Sequence, residues 1–349
     1  MRGNSNSTRT AVLIVIAVLA FFVLLGGGAW LVLHNAFKPV ALPEPPKTLP
    51  SPWPETGGDP VREVPMPTGE MAAALPDYTA SHVLCSALSE ETWAKVLGGP
   101  VLREVRALYG CQVVTTTLRV SAELSDGKLV NPGGPAQRVV IGGREAASYT
   151  ASDGKGATVV VQLLGPNAPK WAKPVLEISI RQDTWDRTER TLPELVRSLG
   201  EGIVNAITTP GPAIPESATG DSLPVRNAGP TPGSGIVDAA TPMVAWQLCS
   251  ALSQSTQRPL EEFLPKPDGS CEYHEDQKLG VEASSSDCCE ESFPDTVGGR
   301  PASVENPAVT IRLNDDSGQL VELAWLYPRK SDVELRAWAE SMIPRLLGR

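Results

Sequence analysis

The sequence predicts an α+β chain: one N-terminal transmembrane helix, then two tandem domains, each with an antiparallel sheet packed against helices. Three observations lead there. The 23 residues from Ala11 to Leu33 contain neither a charge nor a proline. The six residues Leu84-Cys85-Ser86-Ala87-Leu88-Ser89 recur unchanged as Leu248-Cys249-Ser250-Ala251-Leu252-Ser253. In each of the regions so marked, alternating apolar residues precede a helical apolar stripe, the order of a sheet followed by a covering helix.

Residues 1–10 form a short tail carrying Arg2 and Arg9, which the positive-inside rule places in the cytoplasm. Residues 11–33 span roughly 34 Å as a helix, enough to cross the hydrocarbon core, with Trp30 at the far interface. A cleaved signal peptide ending at Ala29 is the competing reading. The apolar run continues past that point to Leu33, which favours a retained anchor. Residues 34–79 and 208–242 are rich in proline and read as extended linkers with no core of their own. Between and beyond them lie the two domains, at 80–207 and 243–349.

The duplication has further landmarks. A second cysteine follows in each copy, Cys111 and Cys271. The turns Ile141-Gly142-Gly143-Arg144 and Val297-Gly298-Gly299-Arg300 match. Each copy then closes on a capping box, Thr191 with Glu194 and Ser331 with Glu334, that starts a helix. Those helices carry the stripes Leu192, Leu195, Val196, Leu199, Ile203, Ile207 and Leu335, Trp338, Ala339, Met342, Leu346. After Ser89 a short helix is expected, with Trp93, Val96 and Leu97 on one face and Gly98 ending it. The same helix is expected in the second copy, behind Pro259, with Leu260, Phe263 and Leu264. Leu176, Ile178 and Ile180 have the period of a half-buried strand, as do Val309, Ile311 and Leu313.

All six cysteines lie on the side expected to be exported, which favours disulfides over metal ligands. The duplication suggests the pairs Cys85–Cys111 and Cys249–Cys271, leaving Cys288 and Cys289 for a strained vicinal bond that serves as a redox switch, a rigid ligand-contacting turn or a loop clamp. In the alternative, one of these two bonds Cys271 and the other Cys249. A zinc site of Cys249, Cys271, Cys288 and Cys289 lacks paired CxxC spacing.

A net charge of −10 argues against nucleic acid as partner. No HExxH, GxSxG or P-loop pattern occurs, and the three histidines, His34, His82 and His274, form no catalytic set. Two SxxK spacings, from Ser125 and from Ser152, carry Asp-Gly at their centres and read as hairpin turns. The duplicated Gly-Gly-Arg turns are the best candidates for a function. Their glycines permit a tight turn, and Arg144 and Arg300 either pair with local acids or contact an anionic ligand.

Cys85-Ser86-Ala87-Leu88 with Cys111, and Cys249-Ser250-Ala251-Leu252 with Cys271, resemble the pattern of a family of actinobacterial envelope domains found in small lipoproteins and anchored proteins. In that family a Cys-x-x-Leu motif enters a helix and a second cysteine begins a strand. The arrangement is also similar to extracellular sensor domains of mycobacterial receptor kinases. The resemblance covers most of 80–207 and 243–348 and implies a fold and an envelope compartment, but no chemistry. This chain departs from the pattern in its anchor, its two copies and Cys288-Cys289.

The expectation is a membrane-anchored, extracytoplasmic, non-catalytic binding or interaction module, needing no cofactor or metal. Its partner would be an envelope protein or cell-wall component. The rival readings are a redox or hydrolytic envelope enzyme and a structural spacer.

Overall fold

The computed structural model describes residues 57–349, apart from 107–109, 127–135, 183–190, 218–221, 227–234, 276–277, 288–291 and 315–318. Both copies of the repeat belong to one compact unit, Glu55–Arg349. The helix expected at 11–33 lies outside the described residues. Among the described residues no helix is long and apolar enough to cross a membrane.

In the first copy the chain runs β1 (Asp59–Pro60), α1 (Asp77–Ser86), α2 (Glu90–Leu97), β2 (Leu102–Arg106), β3 (Gly110–Val114) and β4 (Leu118–Ser125). It continues through β5 (Gln137–Ile141), β6 (Arg144–Thr150), β7 (Gly156–Gln162), β8 (Val175–Gln182) and α3 (Leu192–Ile207). The second copy comprises α4 (Thr241–Thr256), β9 (Leu264–Pro265), β10 (Cys271–Glu275), β11 (Leu279–Asp287) and β12 (Asp295–Val297). It ends with β13 (Arg300–Glu305), β14 (Ala308–Arg312), β15 (Gln319–Tyr327) and α5 (Asp332–Leu346).

Every strand pairing is antiparallel. The first sheet is ordered β1-β2-β3-β4-β8-β7-β6-β5, the second β12-β13-β14-β15-β11-β10-β9. Read from its other edge, the second repeats the first strand for strand, and among the described strands β1 alone has no counterpart. In both copies the last strand is inserted between the third and sixth of the shared seven. The duplication seen in sequence is therefore a duplication of topology. It also corrects the expected fold class: the described chain is two antiparallel sheets of eight and seven strands with few helices, and no described helix is membrane-spanning.

One face of each sheet is covered. Val120 stands opposite Ile180 and Ala122 opposite Ile178, and these buried side chains meet α1 and α3. All six residues of the α3 stripe are buried, and so are all five of the α5 stripe. Glu194 accepts the Thr191 N–H at 3.1 Å and Glu334 that of Ser331 at 2.9 Å, so each closing helix starts where its capping box stands.

Two local expectations are corrected. Cys85 does not enter a helix but sits in the last turn of α1, and Cys249 lies inside α4. The helix expected behind Pro259 is only a three-residue 3-10 turn, Leu260–Glu262; Phe263 is buried beyond it and Leu264 is 48% exposed. The cause lies in the residues that follow the shared hexapeptide. Ser89 accepts the Thr92 N–H at 3.2 Å, and Glu90 and Glu91 complement the new helix start, so the chain breaks and restarts as α2. Ser253 has no acid behind it. It donates instead to the Arg258 carbonyl at 2.6 Å, and α4 runs through to Thr256.

The proline-rich segments contribute more than linkage. Met71–Leu75 are buried within and just after a 3-10 turn at Gly69–Ala74, and Ile214, Leu223, Ile236 and Val237 are buried as well. Gly69 donates to Thr209 O at 2.8 Å and Ile236 to Leu346 O at 2.9 Å, so in each copy a leading strap is clamped to the end of the closing helix. Gly69 (φ 65°) and Gly235 (φ 67°) have no room for a Cβ, which would fall 2.3 Å from Pro212 O and 2.0 Å from Leu346 O. Residues ahead of 80 and of 243 thus pack with the two copies. They share Gly-x-x-x-Ala-Ala-x-Pro (Gly69–Pro76 and Gly235–Pro242), a landmark that composition had concealed.

The copies meet at a polar joint. Arg62 donates to both oxygens of Asp238, each at 2.5 Å, and Thr79 adds a third bond at 3.0 Å. Thr241 donates to Ala74 O at 2.7 Å, and Met243 packs against both cores.

Candidate ligand-binding site

The two Gly-Gly-Arg turns close the β5–β6 and β12–β13 hairpins. Both central glycines have positive φ, 54° and 77° in the first and 55° and 76° in the second, as a two-residue hairpin with matching twist requires. The first glycine of each turn lies on its closing helix: a Cβ on Gly142 would stand 2.6 Å from Val204 Cγ1, and one on Gly298 2.6 Å from Ile343 Cδ1. The glycines are thereby accounted for by the turn and by its contact with the helix. The arginines are not.

Arg144 begins β6. Its Nη1 donates to Leu163 O, its one partner among the described residues, leaving the other guanidinium donors available. It lines a cavity of about 180 Å³ with Glu70, Ala72, Ala73, Leu163 and Ile207. The turn after α3, Thr208–Gly211, completes the wall. The cavity is bounded by the strap, by the start of β6, by the residues just after β7 and by the end of the closing helix, so four separate parts of the first copy build it. Glu70 Oε2 accepts the Ile214 N–H at 3.0 Å, and no ion pair joins Glu70 to Arg144. Arg300 occupies the equivalent hairpin position in the second copy, paired in register with Val297 and partly exposed. The structure therefore does not bring Arg144 and Arg300 into one site. Nothing in the sequence signalled Glu70, which stood in a stretch read as linker.

The two disulfides suggested by the repeat are present: Cys85–Cys111 ties α1 to β3, and Cys249–Cys271 ties α4 to β10. The bond between Cys249 and Cys271 removes two of the four thiolates that the zinc reading needed. Cys288 and Cys289 lie outside the described residues. Ser152-Asp153-Gly154-Lys155 is a turn: Gly154 donates to Ala151 O and Lys155 N–H to Asp153 Oδ1, each at 2.9 Å. Gly127 and Lys128 of the other such spacing, and His34, are outside the described residues.

His82 belongs to the joint. Its Nδ1 accepts the Arg62 N–H at 3.3 Å, while Nε2 is buried with no partner among the described residues. Burial, reinforced by the Arg62 charge, lowers its pKa from 6.5 to about 4. His274 is elsewhere, with Nδ1 3.4 Å from the Tyr327 hydroxyl. On the face of the first sheet turned away from α1 and α3, where Tyr149, Val160 and Val175 form a second buried cluster, Glu123 and Glu177 stand opposite each other across β4 and β8. Burial raises both pKa values, and the charge of Glu123 raises Glu177 further. Single-sequence reading missed this pair, because the two acids are far apart in the chain and meet only through strand register. Among the described residues no three His, Cys, Asp or Glu side chains group as a metal site.

Compared with family models, curated proteins and solved structures, the chain matches none.

Proposed function

We propose that this chain is a non-catalytic binding module displayed on the outer side of the cell envelope, with the first copy's cavity as its ligand site and Arg144 as the contact for a carboxylate. The carrying observation is that guanidinium: one backbone carbonyl holds it, donors remain for a ligand, and aliphatic walls surround it. A planar fork of donors in such a setting favours a carboxylate, and a partly desolvated one strengthens the contact. The cavity is smaller than the ~300–1,000 Å³ usual for ligand pockets, so it takes a small molecule or one end of a larger one. The lining residues include no nucleophile held by a base, which supports binding rather than catalysis. The disulfides, the apolar run Ala11–Leu33 and the resemblance to envelope domains support the compartment. Outside the cavity, the module's macromolecular partner would be an envelope protein or a cell-wall component.

The test is titration of the purified full-length chain with 4-methylpentanoate, followed by amide chemical shifts and calorimetry. Shifts should localise to Gly69–Ala74, Leu163–Leu164 and Ile207–Gly211. Arg144→Gln should weaken binding about ten- to a hundredfold, the worth of a hydrogen bond to a charged group. Binding unchanged in that variant, or shifts elsewhere, would remove the cavity from the account.

A further inference from the structure

Two residues of opposite charge, Arg144 and Glu70, line the cavity without an ion pair between them, and this narrows its ligand. We propose that it accepts a free aliphatic α-amino acid, with the α-carboxylate on Arg144 and the α-ammonium on Glu70; the inference rests on the reading of this cavity as the ligand site.

Four observations converge. Arg144 and Glu70 line the same cavity, and no ion pair joins them. Each is fixed by a backbone group that occupies only part of its capacity. Leu163 O holds Nη1 of Arg144, and the Ile214 N–H holds Oε2 of Glu70. A carboxylate has about four acceptor positions and a guanidinium five donors, so both groups can serve a ligand as they stand. Both are also pre-organised, since the partners that hold them are main chain, and less ordering cost is left for binding.

The rest of the wall specifies the side chain. Ala72, Ala73, Leu163, Leu164 and Ile207 are aliphatic, and none of the lining residues is aromatic. A space of about 180 Å³ suits one aliphatic amino acid and is too small for a peptide. Charge then discriminates among small aliphatic molecules. A monocarboxylate would pair with Arg144 but face Glu70 with like charge, and a monoamine would face Arg144 in the same way. A zwitterion meets both groups with complementary charge, and the repulsive element against the other two classes is already built in.

Calorimetry on the full-length chain should compare L-leucine, 4-methylpentanoate and 3-methylbutylamine, which share a branched aliphatic body and differ in charge. L-leucine should bind about tenfold or more tightly than either single-charge analogue, as two charge-assisted contacts against one imply. Glu70→Gln should weaken L-leucine and strengthen 4-methylpentanoate, a crossover that simple loss of folding cannot produce. The glutamine keeps an oxygen for the Ile214 N–H. If 4-methylpentanoate binds as tightly as L-leucine and Glu70→Gln moves both alike, the amino-acid inference fails and the carboxylate site survives. If neither binds, both readings fall together.

Discussion

At His82, a single side chain records how the two copies are joined. The imidazole is 1% exposed, lies edge-on to the Tyr78 ring at 4.7 Å, and accepts a backbone N–H from Arg62. Its protonated form would be buried beside the Arg62 guanidinium, which is why its pKa falls to about 4. In the unfolded chain the ring takes up its proton near 6.5. Between those two values the unfolded state binds more protons than the folded one, so stability falls as pH is lowered through this interval and is fully retained above it. At about 1.4 kcal/mol per pH unit, the loss is roughly 3 kcal/mol by pH 4. Urea midpoints measured from pH 7 to pH 4.5 should show this slope, and His82→Gln should flatten it. An unchanged slope in the variant would assign the effect to other groups.

At the scale of the element, the hairpin turns offer a contrast between adjacent glycines. All four have positive φ, so any substitution to alanine costs about 1 kcal/mol in backbone strain. Gly143 and Gly299 face open space, whereas a Cβ on Gly142 or Gly298 meets the closing helix. Gly142→Ala and Gly298→Ala should therefore lose a further ~1–3 kcal/mol through overpacking, and Gly143→Ala and Gly299→Ala should not. Chemical denaturation of the four variants tests this; equal losses within each pair would show that the contact with the helix is unimportant. The hexapeptide shared by both copies makes the complementary point. The same residues end one helix and continue another, because the residues behind Ser89 are acidic and those behind Ser253 are not.

At the scale of the whole molecule, one copy packs on the other across the segment that its prolines suggested was an extended linker. Asp238 is 7% exposed at its side chain, has φ 59°, and is bound by Arg62 and Thr79, while Gln319 Oε1 accepts its N–H at 3.2 Å. Removing one member of a buried pair leaves the other charged and enclosed. Asp238→Ala should cost about 3–5 kcal/mol. Arg62→Met combined with Asp238→Asn should recover much of that, because asparagine tolerates positive φ and no charge is stranded. Equilibrium unfolding monitored by tryptophan fluorescence would measure both; a small loss in Asp238→Ala would mean that the joint is held mainly by Met243 and its apolar neighbours.

What the sequence determined by itself was whatever repeats or is periodic. The duplication, the pairing of Cys85 with Cys111 and Cys249 with Cys271, the two-residue turns and the stripes on α3 and α5 were legible because each depends on spacing along the chain. The tertiary structure decided what depends on proximity between distant segments. It showed that Gly69–Ala74 and Gly235–Ala240 are parts of the domains, since their apolar residues are buried only once the closing helices are in place. It also set Glu70 beside the cavity of Arg144, paired Arg62 with Asp238, and placed Glu123 opposite Glu177. Composition reports how much of a segment is proline; burial depends on what folds against it, and that is a property of the assembled sheets and helices.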